Sequence, residues 1–344
     1  MRILFDFNHL VDINFFKGAI LQLKKEGNEI IITSRKRGKL EEILKYELGD
    51  FQITNIGVHH KSFLTKIFFQ LYRDLIFIRL LKQNKVNIVV CFGPTSAIAA
   101  KIKKIPYLAF DDDYEYKIPF YHANWFSTKH IYPDYITFKN KKTSHYHGFK
   151  ELAYLHPNHL SPNEAILEKY GLIKDEYVFI REISQISLNY KTKNSLLECV
   201  IKLLEARGLK IVLSLEDKSQ KSKFSSSCII LEEPVIDLYS IMYHSLLAIS
   251  SGDTVARETS LLGIPTIYTG GRAMSINSPL IKAGVLTYLQ EITDIEIFIR
   301  DASTDKKTET RNSITALIKN EWVDTTAVIL GHINQAIDEN NQKN

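Results

Sequence analysis

The stretch Leu246–Gly271, LLAISSGDTVARETSLLGIPTIYTGG, leaves the chain the fewest structural options. The apolar run Leu246 to Ile249 has the length of a strand. Ser250-Ser251-Gly252 ends it, and Val255, Leu261 and Leu262 then recur at helical spacing, with Ala256 and Thr259 as small positions between them. Gly263 stops this helix, and Pro265 prevents its resumption before a second apolar run, Pro265 to Tyr268. The pattern predicts a strand–helix–strand unit. Strands joined through a helix lie parallel, and a parallel sheet needs helices over both faces, so the expected class is doubly wound α/β.

A helix that opens from a small-residue turn suits phosphate. Its first N–H groups have no internal partner and sit at the positive end of the dipole. Ser251 and Gly252 let a diphosphate approach the backbone, and Glu258 lies one turn beyond Thr254, where a carboxylate can accept bonds from two ribose hydroxyls. The plainer alternative is that Asp253 caps a helix, Glu258 is solvated and the turn binds nothing.

The 344 residues are enough for two domains, and a net charge of +5 fits anionic ligands or a membrane surface while being too weak to argue for nucleic acid. Cys91, Cys199 and Cys228 are far apart, with no metal spacing or disulfide framework, which fits a reducing cytoplasm. Met1 leads directly into an apolar strand, without the pattern of a signal peptide, and no apolar run reaches membrane-spanning length. The expected location is cytoplasmic, with the inner face of the membrane as a possible peripheral site.

The alternation of strand and helix runs through both halves. Arg2–Phe7 is followed by the loop Asp6 to Asp12 and a helix over Asn14–Lys25 carrying Phe15, Phe16, Ala19, Ile20 and Leu23. Strands at Glu29–Thr33, Gln52–Ile56, Val86–Phe92 and Pro106–Phe110 follow. Ser62–Gln83 reads as a helix with a core-facing side and a basic solvent face (Lys66, Arg73, Arg79, Lys82), or as a membrane-surface helix. Gly93 and Thr95, after the fourth strand, can approach substrate or cap a helix. The fifth strand delivers Asp111-Asp112-Asp113-Tyr114-Glu115, whose adjacent carboxylates point to opposite sides of an extended backbone, against a metal site. They can bind sugar hydroxyls, take a proton, or simply favour a helix N-terminus. The pattern breaks at His147–Asn158, giving expected domains of 1–155 and 156–344, the second including a C-terminal helix over Thr326–Asp338.

Several of these motifs also carry a resemblance. S-G-D/G-T-x-x-x-E-x-x-x-L-G-x-P, at Ser251 to Pro265, resembles the donor-nucleotide motif of GT-B glycosyltransferases and of sugar-nucleotide 2-epimerases. The run HGFKELAYLHPN at His147–Asn158, with Phe179-Ile180-Arg181, Asp112-Asp113 and the Phe15-Phe16 unit, resembles an uncharacterised bacterial and archaeal family of unknown function assigned to the GT-B-like superfamily. That resemblance covers about residues 1 to 290. It implies two Rossmann-like domains facing a cleft, with Ser251, Gly252, Asp253 and Thr254 at the diphosphate and Glu258 at the ribose. There are two departures. The family's first loop reads like D-x-x-x-P-x-H-V-x-F-F, and Asp12 stands at its His position, with His9 three residues earlier. Epimerases carry G-D-T in the fourth-strand loop, where this chain has Gly93-Pro94-Thr95.

Together these readings give a metal-independent glycosyltransferase using a nucleotide-diphosphate sugar, UDP-linked, in surface-polysaccharide or glycoconjugate synthesis. No cofactor or nucleic-acid partner is expected. Arg181 would answer the diphosphate charge. The acceptor, a glycan or lipid-linked molecule, would sit near His9, Asp12 and Asp112, with Gly93, Thr95 and Glu115 on the same side and Asp12 as the first choice of base. The alternatives are a UDP-sugar 2-epimerase-like enzyme and a non-catalytic nucleotide-sugar-binding protein.

Overall fold

The computed structural model describes residues 1–58, 63–182, 194–232, 234–272 and 274–342. The expected helix start at Ser62 lies outside them. Two compact units result, Met1–His159 together with Trp322–Asn344, and Leu160–Glu321.

The first unit is a parallel sheet of seven strands: β1 (Arg2–Phe7), β2 (Glu29–Lys36), β3 (Ile53–Val58), β4 (Ile88–Phe92), β5 (Tyr107–Phe110), β6 (Lys129–Pro133) and β7 (Thr143–Tyr146), in the order β3-β2-β1-β4-β5-β6-β7. The order reverses at β1, whose Phe5 stands between Ile32 and Val90. Strand periodicity divides β1 between two layers. Ile3, Phe5 and Phe7 enter the layer formed with Phe15, Phe16 and Ile20 of the helix Leu10–Lys25. Leu4 enters the opposite layer, with Phe77 and Leu81 of the helix Phe63–Gln83. Asp6 follows Leu4 on that second face, so a carboxylate is carried into the interior by register alone.

The helix Thr325–Asn341 corrects the expected domain assignment. Ile329 and Ile333 are fully buried in the layer of Phe15 and Phe16, and Thr325 and Thr326 donate to the Phe149 and Ala153 carbonyls, each at 2.7 Å. Its apolar stripe is complementary to the helix Leu10–Lys25, so the chain's last helix completes domain one.

The second unit holds six parallel strands: β8 (Tyr177–Glu182), β9 (Lys210–Leu215), β10 (Ile229–Ile230), β11 (Leu247–Ser250), β12 (Thr266–Tyr268) and β13 (Leu286–Tyr288), in the order β10-β9-β8-β11-β12-β13. The order reverses at β8. Val178 and Ile180 pack under Leu197, Val200 and Leu204 of the helix Asn194–Ala206 and Ile295 and Ile299 of the helix Ile292–Arg300. The polar segment after Lys306 also forms a helix, Thr304–Asn320. Its buried residues are Ile314, Ile318 and Lys307, and Lys307 pairs with Asp175.

Candidate functional site

At the carboxyl end of β1 the buried Asp6 gathers a polar group around itself. One oxygen accepts from Arg73 Nη2 at 2.7 Å and from Thr33 Oγ1 at 2.9 Å, and the other from Thr95 Oγ1 at 2.8 Å. Asn8 Nδ2 donates to Thr95 Oγ1 at 2.8 Å. Arg73 is itself buried, donating through Nε to the Ile56 carbonyl at 3.0 Å and lying 4.8 Å from the Phe77 ring centroid. The expectation of Arg73 on a solvent face is therefore wrong. Helical spacing places it next to the core stripe, and Asp6 supplies the partner a buried cation needs.

Asp12 lies within the first turn of the helix Leu10–Lys25, facing back into the loop. Its Oδ2 accepts the Asn8 N–H at 2.8 Å and the His9 N–H at 2.9 Å. The carboxylate thus ties the loop to the helix start. Burial nevertheless pushes its pKa up to about 7, against those two bonds and the attraction of Lys150. His9 sits at the N-cap, where its ring Nε2 meets Arg37 Nη1 at 2.7 Å.

The aspartates after β5 have separate employments. Asp111 Oδ1 accepts the Asp112 and Asp113 N–H groups at 2.9 and 3.1 Å. Asp112 forms a buried ion pair with Lys150 at 2.6 Å, and Lys150 lies 5.4 Å from the Phe92 ring. Among the described residues no cluster of three His, Cys, Asp or Glu is arranged to hold a metal. Gly93 adopts φ +88°, and its backbone N–H and C=O are both tied to β5, donating to the Phe110 carbonyl and accepting from Tyr107 Oη, each at 2.8 Å. Glu115 is exposed on the turn that follows.

In domain two the expected turn is present at the carboxyl end of β11. Ser250 Oγ donates to the Gly252 carbonyl at 2.7 Å, and the Ser251 N–H donates to the Arg181 carbonyl at 3.0 Å, fixing the turn against β8. The helix Asp253–Leu261 starts there, with Gly252 as N-cap. A pocket of about 500 Å³ opens beside it, lined by Arg181, Glu182, Leu197, Ser251, Thr269 and Gln290 among others, a size that suits a small-molecule ligand. Arg181 and Ser251 share this lining, whereas Gly252, Asp253, Thr254 and Glu258 lie beyond it.

Asp253 Oδ1 accepts the Thr254 N–H at 2.8 Å, and its other oxygen faces Arg272 Nη1 at 3.4 Å. Glu258 is buried rather than solvated, with Tyr239 Oη donating to it at 3.3 Å. Arg181 Nη1 donates to Ser214 Oγ at 2.9 Å.

Sequence reasoning passed over Asp6, Lys150, Glu182, Arg257 and Arg272, and put Arg73 on the wrong side of its helix. Burial pushes the Glu182 carboxyl up to about 7 inside the pocket. Arg257, fully buried, reaches Thr254 Oγ1 and Asn277 Oδ1, each at 3.4 Å, and braces the helix start from behind. Asp6 was visible as a carboxylate inside an apolar strand, and Arg272 as a cation directly after Gly270-Gly271.

Residues 1–106 and 135–335 match a family described as a protein of unknown function, DUF354. The chain belongs to that family. An uncharacterized protein of Methanocaldococcus jannaschii is 23% identical over 316 residues, covering 86% of this chain and 90% of its own. Among solved structures, a UDP-N-acetylglucosamine 2-epimerase described as putative, from Listeria monocytogenes, superposes with TM-score 0.71 at 14% identity, covering 98% and 97% of the two chains. The MurG protein of Acinetobacter baumannii gives 0.64 at 15% identity over 97% and 99%. The Staphylococcus aureus MnaA–UDP co-structure gives 0.66 at 12% over 98% and 97%. The fold of this DUF354 protein is GT-B-like, built from two Rossmann-like domains, and its structural neighbours are glycosyltransferases and UDP-sugar epimerases.

Proposed function

We propose that the protein is a GT-B-type glycosyltransferase that binds a UDP-linked sugar on its second domain and transfers the sugar to a glycan or lipid-linked acceptor. The observation that carries this reading is the turn Ser250–Gly252. It stands at the carboxyl edge of a parallel sheet, opens a helix directly, and borders a ligand-sized pocket. In this reading the backbone N–H groups of that helix start take the diphosphate. Arg181, on the pocket wall, and Arg272, beside Asp253, answer the charge that builds on the leaving group. Glu258 holds the ribose, its carboxylate already oriented by Tyr239. Domain one supplies the acceptor-side groups: Asp12 as base, with a pKa near the working pH, and Asp112, held by Lys150, for sugar hydroxyls.

A thermal-shift titration tests the donor assignment. UDP and UDP-sugars should raise the unfolding temperature, the stabilisation growing as RT ln(1 + [L]/Kd), whereas the same concentration of uridine should not. Glu258→Gln keeps the side chain's shape but removes a charged acceptor. Hydrogen bonds to charged groups contribute roughly 1.5–3 kcal/mol, so the UDP dissociation constant should rise about tenfold or more. An unchanged constant in Glu258→Gln would remove this carboxylate from the nucleotide site.

A second reading, a UDP-sugar 2-epimerase-like enzyme, is supported by the epimerase structures among the neighbours, one of them bound to UDP-GlcNAc. Gly93-Pro94-Thr95 speaks against it, because Pro94 stands where the epimerase pattern carries its carboxylate. Conversion of a UDP-sugar with no acceptor present would decide for the epimerase.

A further inference from the structure

Three helices stand in a row on one face of domain one's sheet. Phe63–Gln83 packs on Ala97–Ile102, which packs on Lys117–Phe126. Phe77, Leu81, Ala97, Ala100 and Ala123 form their common inner layer. Their outer surfaces carry large apolar side chains. Leu71, Tyr72 and Leu75 on the first helix, Ile102 closing the second, and Ile118 and Trp125 on the third are all exposed, Ile118 by 85%, Leu75 by 66% and Trp125 by 64%. Isolated exposed apolar residues are ordinary, but a succession of them across adjacent helices marks a contact surface.

Among the described residues the exposed charged side chains of these three helices are all cations, with Glu115 exposed on the turn before the third. Arg79, Lys82, Lys101 and Lys117 are exposed on the same helices, and Lys142 joins them by donating to the Trp125 carbonyl at 2.8 Å. The three helices contain a single acidic residue, Asp74, and it is buried.

We propose that this face rests on an anionic lipid bilayer, with Trp125, Tyr72 and the aliphatic side chains entering the headgroup boundary and the cations answering lipid phosphates. Aromatic rings with one polar edge favour that boundary, and lysine stems can lie along apolar surface while their ammonium groups stay in water. Contact is superficial, since no helix among the described residues is long and apolar enough to cross a membrane. A second copy of the chain fits less well, because a two-fold contact through this face would set cation against cation. The membrane role also differs from the one read in the sequence. Phe63–Gln83 cannot lie alone in the interface, because Phe77 and Leu81 are committed to the core; the contact belongs to three helices. The inference concerns domain one alone and does not depend on the donor assignment.

Co-sedimentation of the full chain with phosphatidylcholine vesicles, with and without phosphatidylglycerol, tests it. The protein should pellet with the mixed vesicles, stay in solution with phosphatidylcholine alone, and be released by added salt. Lys101→Gln with Lys117→Gln should weaken the partition about thirtyfold, at ~1 kcal/mol per lysine near the surface. Ile118→Ser with Trp125→Ser should weaken it about tenfold or more, with the unfolding temperature unchanged as evidence of an intact fold. Absence of binding to either vesicle, equal binding to both, or full binding by either double variant would overturn the proposal. So would a dimer in light scattering that Ile118→Ser with Trp125→Ser dissociates, which would make the face a self-association surface.

Discussion

Arg73→Ala should destabilise domain one by about 3–5 kcal/mol, the cost of removing one partner from a buried ion pair. Asp6 would keep its bonds from Thr33 and Thr95 but lose the 2.7 Å contact that neutralises it in a fully buried position. The same change frees the Ile56 carbonyl and uncovers the Phe77 ring. Urea unfolding followed in wild type, Arg73→Ala, Arg73→Met, Asp6→Asn and the pair Asp6→Asn with Arg73→Met supplies the check. The paired exchange should recover most of the loss, because it leaves no charge stranded in the interior. A loss in the pair equal to the sum of the losses in Arg73→Met and Asp6→Asn would mean that the two residues do not stabilise one another.

The second large effect is expected at Asp12. If it is the base, Asp12→Asn should lower turnover about 10²-fold or more while leaving UDP binding nearly unchanged. If turnover survives and only stability changes, by the ~1 kcal/mol of a weakened helix start, its two bonds to the Asn8 and His9 N–H groups are its whole role. The pH dependence adds an independent readout. The folded protein holds Asp12 near 7, far above its ordinary 3.8, so the native state binds this proton more tightly than the unfolded chain does. The resulting stabilisation is complete below about pH 4 and is lost as pH rises through about 7, at roughly 1.4 kcal/mol per pH unit within the window. Raising the pH from 5 to 8 should therefore narrow any stability advantage of wild type over Asp12→Asn, and no change in that difference would mean that Asp12 is ionised throughout.

The architecture was legible because buried parallel strands are continuous apolar runs, as in β1, β2, β4, β5 and β11. The exceptions are informative. Strand β7, Thr-Ser-His-Tyr, is short and half-polar at the sheet's edge, so nothing in its composition marks it. The helix Thr304–Asn320 buries two isoleucines and a lysine paired with Asp175, too few apolar positions to show a stripe. In the donor region, the strand, small-residue turn, helix and following strand all followed from local chemistry. What the sequence withheld was partnership. That Arg73 turns inward depends on an aspartate 67 positions away, that Lys150 serves Asp112 depends on the fold bringing their segments together, and that Glu258 meets Tyr239 depends on a neighbouring helix. Spacing along a chain fixes which side of an element a residue occupies, but it is silent on what stands opposite.

The return of the chain to domain one through Trp322–Asn344 has a consequence for synthesis. The ribosome releases the residues of β1 to β7 early, yet the layer containing Phe15 and Phe16 stays open until Ile329 and Ile333 emerge, after the whole of domain two. Domain two, by contrast, is one uninterrupted segment, Leu160–Glu321, and can close before domain one does. The nascent chain therefore holds domain one without its last helix until domain two has been made, so the second domain is the first that can be complete.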